Sequence, residues 1–189
     1  GNAAALDELA RAGMRDTPEA RAALAALKAR ADHDRRFAEA LSNRPTVLAF
    51  GFTAAKQSIG ALPAPAFTEA DLGGRAIPIA PESGYTSNLP LLQRAAAGGG
   101  HLDPTFDADG VIRRVPMLKR YGDGYYPSLS LASAATAVEA KRIRPLFDAN
   151  GDLEAVDAGG MRVPVARDGT ALVPYRWPGV FRAYPAADV

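Results

Sequence analysis

Thr46-Val-Leu-Ala-Phe-Gly-Phe52 is a continuous apolar run, closed off upstream by the breakers Asn43-Arg44-Pro45 and followed by a proline- and glycine-rich stretch. A run without alternation is how a strand covered on both faces reads, so Thr46–Phe52 predicts the central strand of a helix-covered sheet. The residues before it read as helix. Alanines and leucines recur through Ala3–Ala12, and Thr17-Pro18-Glu19 then supplies a cap, an N1 proline and an acidic first turn for a helix running to about Ala31. Leu24 and Leu27 share one face of it. Asp32 or Asp34 can cap a further short helix that turns Phe37, Ala38 and Leu41 inward, and Asn43–Pro45 stops it.

Downstream, Thr53–Ser87 is punctuated by Pro63, Pro65, Gly73, Gly74, Pro78 and Pro81, which predicts an irregular excursion with at most one short strand at Ala76–Ala80. Asn88 before Leu89 and Pro90 predicts the N-cap of a helix through Ala97, with Gly98-Gly-Gly100 as its C-terminal stop. The Asp109–Gly110 turn leads into a strand over Val111–Leu118, which Gly122-Asp-Gly124 folds back along Tyr125–Tyr126. Pro127–Ser128 opens a helix to about Arg142. A second hairpin pairs Leu153–Val156 with Met161–Val165, and Ala171–Tyr175 is the last strand, after the Asp168–Gly169 turn. Helices and strands alternate while the hairpins supply antiparallel pairs, so the predicted fold class is α/β, a mixed sheet with antiparallel hairpins covered by helices.

The whole chain is 189 residues, with 22 Lys+Arg against 21 Asp+Glu, a net charge of +1, 48% hydrophobic residues and no cysteine. That is enough chain for one ordinary globular domain to bury a core without a metal or disulfide staple. Lack of cysteine excludes disulfides, a thiolate nucleophile and a zinc site built on sulfur. The balanced charge argues against nucleic acid, whose phosphates need a concentrated basic face. No apolar run is long enough to span a bilayer and no signal-peptide pattern opens the chain, which predicts a soluble fragment.

Catalytic patterns fail one by one. Gly51-Phe-Thr-Ala-Ala-Lys56-Gln-Ser58 lacks the second glycine of a phosphate loop, and its hydroxyl is displaced by one position. His33 and His101 lie in different segments without a second nitrogen ligand at helical or hairpin spacing. Asp148-Ala-Asn150-Gly-Asp152 imitates the start of a calcium loop, but its glycine comes early and Gly159 stands where the bidentate glutamate belongs. No serine lies in a nucleophile motif. The expectation is therefore no catalytic residue, no metal and no cofactor.

Phe106-Asp-Ala-Asp-Gly110-Val-Ile-Arg113-Arg114-Val-Pro116 is the most informative stretch. Asp107 and Asp109 flank Gly110 in a tight turn, and consecutive arginines on the strand that follows point to opposite faces. One of them is expected inward or toward a cleft. It either pairs with Asp103, Asp107 or Asp109 and clamps the hairpin, or it recognises an anion at a pocket rim.

Asp109-Gly-Val-Ile-Arg-Arg-Val-Pro116 followed by Tyr126-Pro-Ser-Leu-Ser-Leu-Ala132 resembles the signature of the type 2 CHASE domain, an extracytoplasmic sensor module of bacterial signalling receptors. Asp34-x-x-Phe37-Ala38-x-Ala40-Leu41 with Thr46–Phe52, Asn88-Leu-Pro90 with Ala95–Gly99, and Asp168-Gly-Thr170 to Tyr175 are similar to further units of that family. The resemblance implies a sensor domain over 32–189, trimmed at both ends, with 1–31 as a helical segment packed on it. The family's opening transmembrane helix and its Trp-Pro and Asp-Val-Leu-Phe motifs are not found here. It also implies a location outside the cytoplasmic membrane, an unidentified small-molecule or other stimulus, a homodimeric receptor, and membrane contact only through helices absent from this chain. A cyclase or kinase output, most often an adenylate/guanylate cyclase or a histidine kinase, is expected in other parts of such receptors. Arg113, Arg114 and Asn88 are the candidate ligand-binding residues, and Asp107, Asp109, Gly110, Pro116 and Ser128 form the structural motif. Two other classes stay open: a structural or dimerisation domain without a ligand, and a hydrolase with dispersed catalytic groups. A pocket with convergent polar groups near Arg113 or Arg114 favours the sensor, a large apolar patch the dimeriser, and a carboxylate or serine beside a histidine the hydrolase.

Overall fold

A computed structural model describes residues 17–176, so the helix expected at Ala3–Ala12 lies outside the described residues. Helix α1 (Pro18–Ala31) starts at the expected cap, with the Ala20 amide donating to Thr17 Oγ1 at 3.2 Å and Pro18 in its first turn. Asp32 ends α1 and caps α2 (His33–Leu41), accepting from the Arg35 amide at 3.1 Å. Ala38 and Leu41 are buried on the side of α2 that packs against α3 (Pro90–Ala95). Phe37, expected inward, is 51% exposed. Neighbours on a helix are turned about 100° apart, and the narrow stripe through 38 and 41 leaves 37 on its flank.

The apolar run forms β1 (Val47–Thr53) at the centre of a four-stranded sheet ordered β2-β4-β1-β5. It pairs antiparallel with β4 (Gly84–Thr86) and parallel with β5 (Gly98–His101), while β2 (Ser58–Ile59) lies outside β4. The excursion also holds β3 (Phe67–Thr68) and a 3-10 helix over Glu69–Leu72. No strand forms at Ala76–Ala80. Ile77 is buried there, but Pro78 and Pro81 carry no amide hydrogen for a ladder, and the Ile79 amide donates instead to the Ile77 carbonyl at 2.7 Å.

The glycine triplet is a strand, not the stop of a helix. α3 ends at Ala96 in an extended conformation and the chain runs straight into β5. The glycines answer to packing: a Cβ on Gly100 would lie 2.4 Å from Leu129 Cα and 2.7 Å from the Ser128 carbonyl oxygen, and one on Gly99 3.0 Å from Pro63 Cγ. Backbone therefore meets backbone where β5 touches the start of α4 (Leu129–Ala137).

Three smaller sheets complete the domain: β3-β8-β7, with β7 (Leu118–Tyr121) and β8 (Gly124–Pro127) turning at Gly122; β9 (Ile143–Phe147), β10 (Leu153–Ala158) and β11 (Met161–Pro164); and β6 (Arg114–Pro116) with β12 (Thr170–Leu172). The class is α/β with antiparallel hairpins, as expected, but the single sheet is divided into four. β6 begins only at Arg114 and breaks at Met117, and β12 is shorter than Ala171–Tyr175. α4 ends at Ala137, short of Arg142, because Glu139 turns left-handed at φ 51°. β9, which follows it, is an edge strand and so tolerates Pro145. One core joins these sheets, built from Phe67, Leu118, Tyr125, Leu131, Leu153 and Val156 with their neighbours.

Adding a methyl group at Gly100 is expected to lower stability by about 1–3 kcal/mol, the usual cost of overpacking a close contact. Gly98→Ala, which meets nothing within 4 Å, is expected to leave the thermal midpoint nearly unchanged. Equal midpoints for Gly98→Ala and Gly100→Ala would show that the seam is loose.

Candidate functional site

The seam between β5 and α4 fixes His101. As the last residue of β5 it pairs with Phe50 of β1 and forms a parallel bridge with Ser128, the residue that caps α4. His101 is 2% exposed, and its ring lies 6.1 Å from that of Phe52. Ser128 Oγ accepts from the Leu131 amide at 3.2 Å and lies 3.0 Å from Ser130 Oγ and 3.6 Å from Met117 Sδ. The loop over Leu102–Pro104, the end of β6 at Val115 and Pro116, and the first turn of α4 close around this point. They line a cavity of about 380 Å³, open to solvent, whose wall also holds Leu129 and Ser133.

Neither ring nitrogen of His101 has a hydrogen-bond partner. Burial pushes its pKa down to about 3, and the charge of Lys119 works in the same direction. The carboxylate of Asp103 lies 3.7 Å from Nδ1, too far for a hydrogen bond, and an ion pair there would need the imidazolium that burial forbids. Asp103 instead accepts from the Phe52 amide with both oxygens, at 3.1 and 3.2 Å. Burial raises its pKa more than that amide lowers it. Lys119 is paired with Glu82 beside this group.

A serine and a carboxylate thus flank a histidine, the arrangement that would favour a hydrolase. The geometry does not make a triad: no hydrogen bond joins His101 to Ser128, and the Ser128 hydroxyl is committed to the first turn of α4. An imidazole that protonates only near pH 3 is also a poor general base at neutral pH. Among the described residues, no group of three His, Cys, Asp or Glu could hold a metal ion.

The family model described as CHASE2 domain matches residues 4–189. The chain belongs to the CHASE2 family. CHASE2 domains are extracellular sensor domains of signalling receptors, so the cavity belongs to a sensor module and not to a catalytic one. No curated protein and no solved structure matches the chain. Among the described residues, no helix is long and apolar enough to cross a membrane.

In this CHASE2 domain the residues singled out from sequence are spread over the cavity wall, the turn before β6, the start of β6 and the junction of β1 with α3. Pro116 and Ser128 are in the cavity wall. Asp107, Asp109 and Gly110 form the turn before β6, where the Gly110 amide donates to the Asp107 carbonyl at 2.8 Å and Gly110 has φ 79°. Arg113 clamps that turn, donating to Asp107 at 2.8 Å and to both oxygens of Asp109 at 2.9 and 2.7 Å. Those bonds hold the Asp109 carboxyl below its ordinary range and keep the guanidinium charged. Neither arginine is inward. The Arg113 side chain is 50% exposed and Arg114 is exposed, because the ladder begins at Arg114 and strand alternation does not reach 113. Asn88 does not cap α3. Leu89 takes that position, and Asn88 Nδ2 instead donates to the Ala49 carbonyl at 3.0 Å and to Gln93 Oε1 at 3.2 Å, tying β1 to α3. His101 and Asp103 were missed as site residues. Their signal was the histidine directly after a glycine triplet, visible only once the triplet is read as a packed strand.

Two outcomes are expected. Unfolded, the imidazole titrates near 6.5 and in the fold near about 3, so between these values the unfolded chain binds more protons and stability falls as pH falls. The contribution is complete above 6.5 and lost on descent to about 3. Wild type should lose on the order of 1 kcal/mol per pH unit between about pH 6 and 5, by denaturant titration, and His101→Gln should lose much less. Asp103, whose raised pKa acts in the opposite sense, is common to both proteins. At the turn, Arg113→Gln should speed amide hydrogen exchange at Gly110 and Val111 and leave exchange in β10 unchanged; slowed or equal exchange at the turn would show that Arg113 is not its clamp.

Proposed function

We propose that the chain is the stimulus-sensing domain of a bacterial transmembrane receptor, with 32–189 as the sensing body and 1–31 as a helical segment packed on it. The cavity at His101 is its ligand site. A small molecule bound there favours one of two arrangements of β5 and α4, and membrane helices carry the change to an adenylate/guanylate cyclase or histidine kinase output. The observation that carries this reading is an apolar cavity beside a buried histidine without hydrogen-bond partners, within a domain of a sensor family. Pockets of this kind, apolar with a few placed polar groups, are the usual form of small-molecule sites. Val115 and Pro116 of the wall follow Arg114 in β6, but neither Arg113 nor Arg114 lines the cavity, and its polar residues are His101, Asp103, Ser128, Ser130 and Ser133.

A second reading, a dimerisation domain without a ligand, is favoured by Leu102, Phe106, Val111, Leu172 and Tyr175, which are exposed on segments beside the cavity. Native mass spectrometry separates the two. After incubation with extracts of spent culture medium, wild type is expected to retain a bound small molecule that Ser133→Phe, which fills the cavity mouth, does not. A concentration-dependent dimer without any adduct in either protein would overturn the sensing reading in favour of the second.

A further inference from the structure

Gly98 and Gly100 lie two apart on β5 and so face the same side of the sheet. At Gly100 that side is filled by the first turn of α4, but a Cβ on Gly98 would meet nothing within 4 Å. Strand and helix diverge there, and the wedge between them belongs to a second cavity, of about 300 Å³ and open to solvent. Pro63, Pro65, Pro127, Ala132 and Ala135 give it an apolar wall. Its charged residues are Lys141 and Arg142, both exposed, on the link from α4 to β9. We infer that this cavity binds a small organic carboxylate, its head at Lys141 and Arg142 and a short apolar body against the prolines and alanines. The inference goes beyond the sensing reading above and does not rest on the His101 cavity.

Nothing within the domain occupies these cations. Among the described residues no carboxylate lines the cavity, and no ion pair holds Lys141 or Arg142, whereas Arg144 pairs with Asp157. Asp71 feels the charge of Arg142, but its carboxyl is held low first by the amide and hydroxyl of Thr68, which are its bonded partners. Nor does the end of α4 need them, because the amides of Val138, Glu139 and Ala140 donate to the carbonyls of Ala134, Thr136 and Ala135. The backbone adds a further donor. Ala97 turns its amide to the Thr46 carbonyl at 2.9 Å, so alternation places the Gly98 amide on the outer edge of β5, the last strand of its sheet. A guanidinium fork beside an ammonium suits the two oxygens of a carboxylate. The apolar wall calls for a body as well as a head, and the volume, at the lower end of ligand pockets, keeps that body short.

Butyrate, its neutral isostere butyramide and inorganic phosphate test this, each titrated into the 189-residue chain and followed by the backbone amide resonances of Gly98, Gly99 and Thr136. Butyrate is expected to bind saturably, and less tightly as salt rises, with butyramide and phosphate at least about tenfold weaker. Lys141→Gln and Arg142→Gln should each weaken butyrate about tenfold and leave the thermal midpoint in place, since both side chains are exposed. Arg167→Gln, the same change of charge outside the cavity wall, should leave butyrate binding as it is. Gly98→Val, which fills the wedge, should abolish binding, and Gly98→Ala should weaken it without moving the midpoint. Equal binding of butyramide would overturn the anionic head, equal binding of phosphate the apolar body, and an equal loss in Arg167→Gln the site at Lys141 and Arg142. If butyrate gives no saturable shift at Gly98 and Thr136, the inference falls, while the His101 cavity keeps its own test in the adduct that Ser133→Phe blocks.

Discussion

The contact of Gly100 with the first turn of α4 is the constraint on which the site depends. β5 is held in register with β1 by a parallel ladder from Val47–Gly98 to Phe50–His101, so the position of His101 is set by the central strand. α4 can approach that ladder only where no side chain intervenes, and the 2.4 Å between a virtual Gly100 Cβ and Leu129 Cα shows how completely the approach uses the missing atom. Ser128 then caps α4 with its hydroxyl oxygen, and that hydroxyl has Ser130 Oγ and Met117 Sδ as its other partners rather than the imidazole. One steric fact therefore yields both the cavity and the unpaired ring in its wall.

Around this seam the domain keeps its two kinds of stabilisation apart. The continuous core runs from Phe67 and Tyr125, stacked at 4.9 Å, to Leu153 and Val156 under the small antiparallel sheets. A second aromatic group stands on β1: Phe52 meets Phe50 at 5.4 Å, Tyr126 at 5.7 Å and Tyr121 at 6.2 Å. The ion pairs lie mostly outside both, on turns and edges such as Arg162–Glu154 and Arg167–Asp152, where screened charges add little to stability. Arg113 belongs to this outer class. Its fork fits Asp109 well, but half-exposed between two carboxylates it sets the shape of a turn and is not left available at a pocket rim.

Elements specified by local chemistry were legible from sequence. The Thr17 and Ser128 caps, the Gly122 turn, the β10–β11 hairpin and β1 itself each follow from a few adjacent residues. Those decided by distant packing were not. The glycine triplet looks like a helix stop until Leu129, far along the chain, is known to press on it. Ile143-Arg-Pro-Leu-Phe147 hides an edge strand behind a proline, and Asn88 resembles a cap until Ala49 takes its amide. The candidate site shares this limit, because Pro116 and Ser128 were singled out for their motif while the histidine they enclose was set aside as a lone residue.

His101 carries the sense of the whole arrangement. Folded domains are stable by only about 5–15 kcal/mol, so buried polar groups left without partners are rare and concentrate where function needs them. A leucine or phenylalanine at the end of β5, beside Phe52, would not carry that cost. Asp103, kept within 3.7 Å of the ring yet bonded to the Phe52 amide, neither satisfies the imidazole nor charges it. The fold thus keeps a neutral imidazole without a hydrogen-bond partner beside an apolar cavity, at the seam where β5 meets α4.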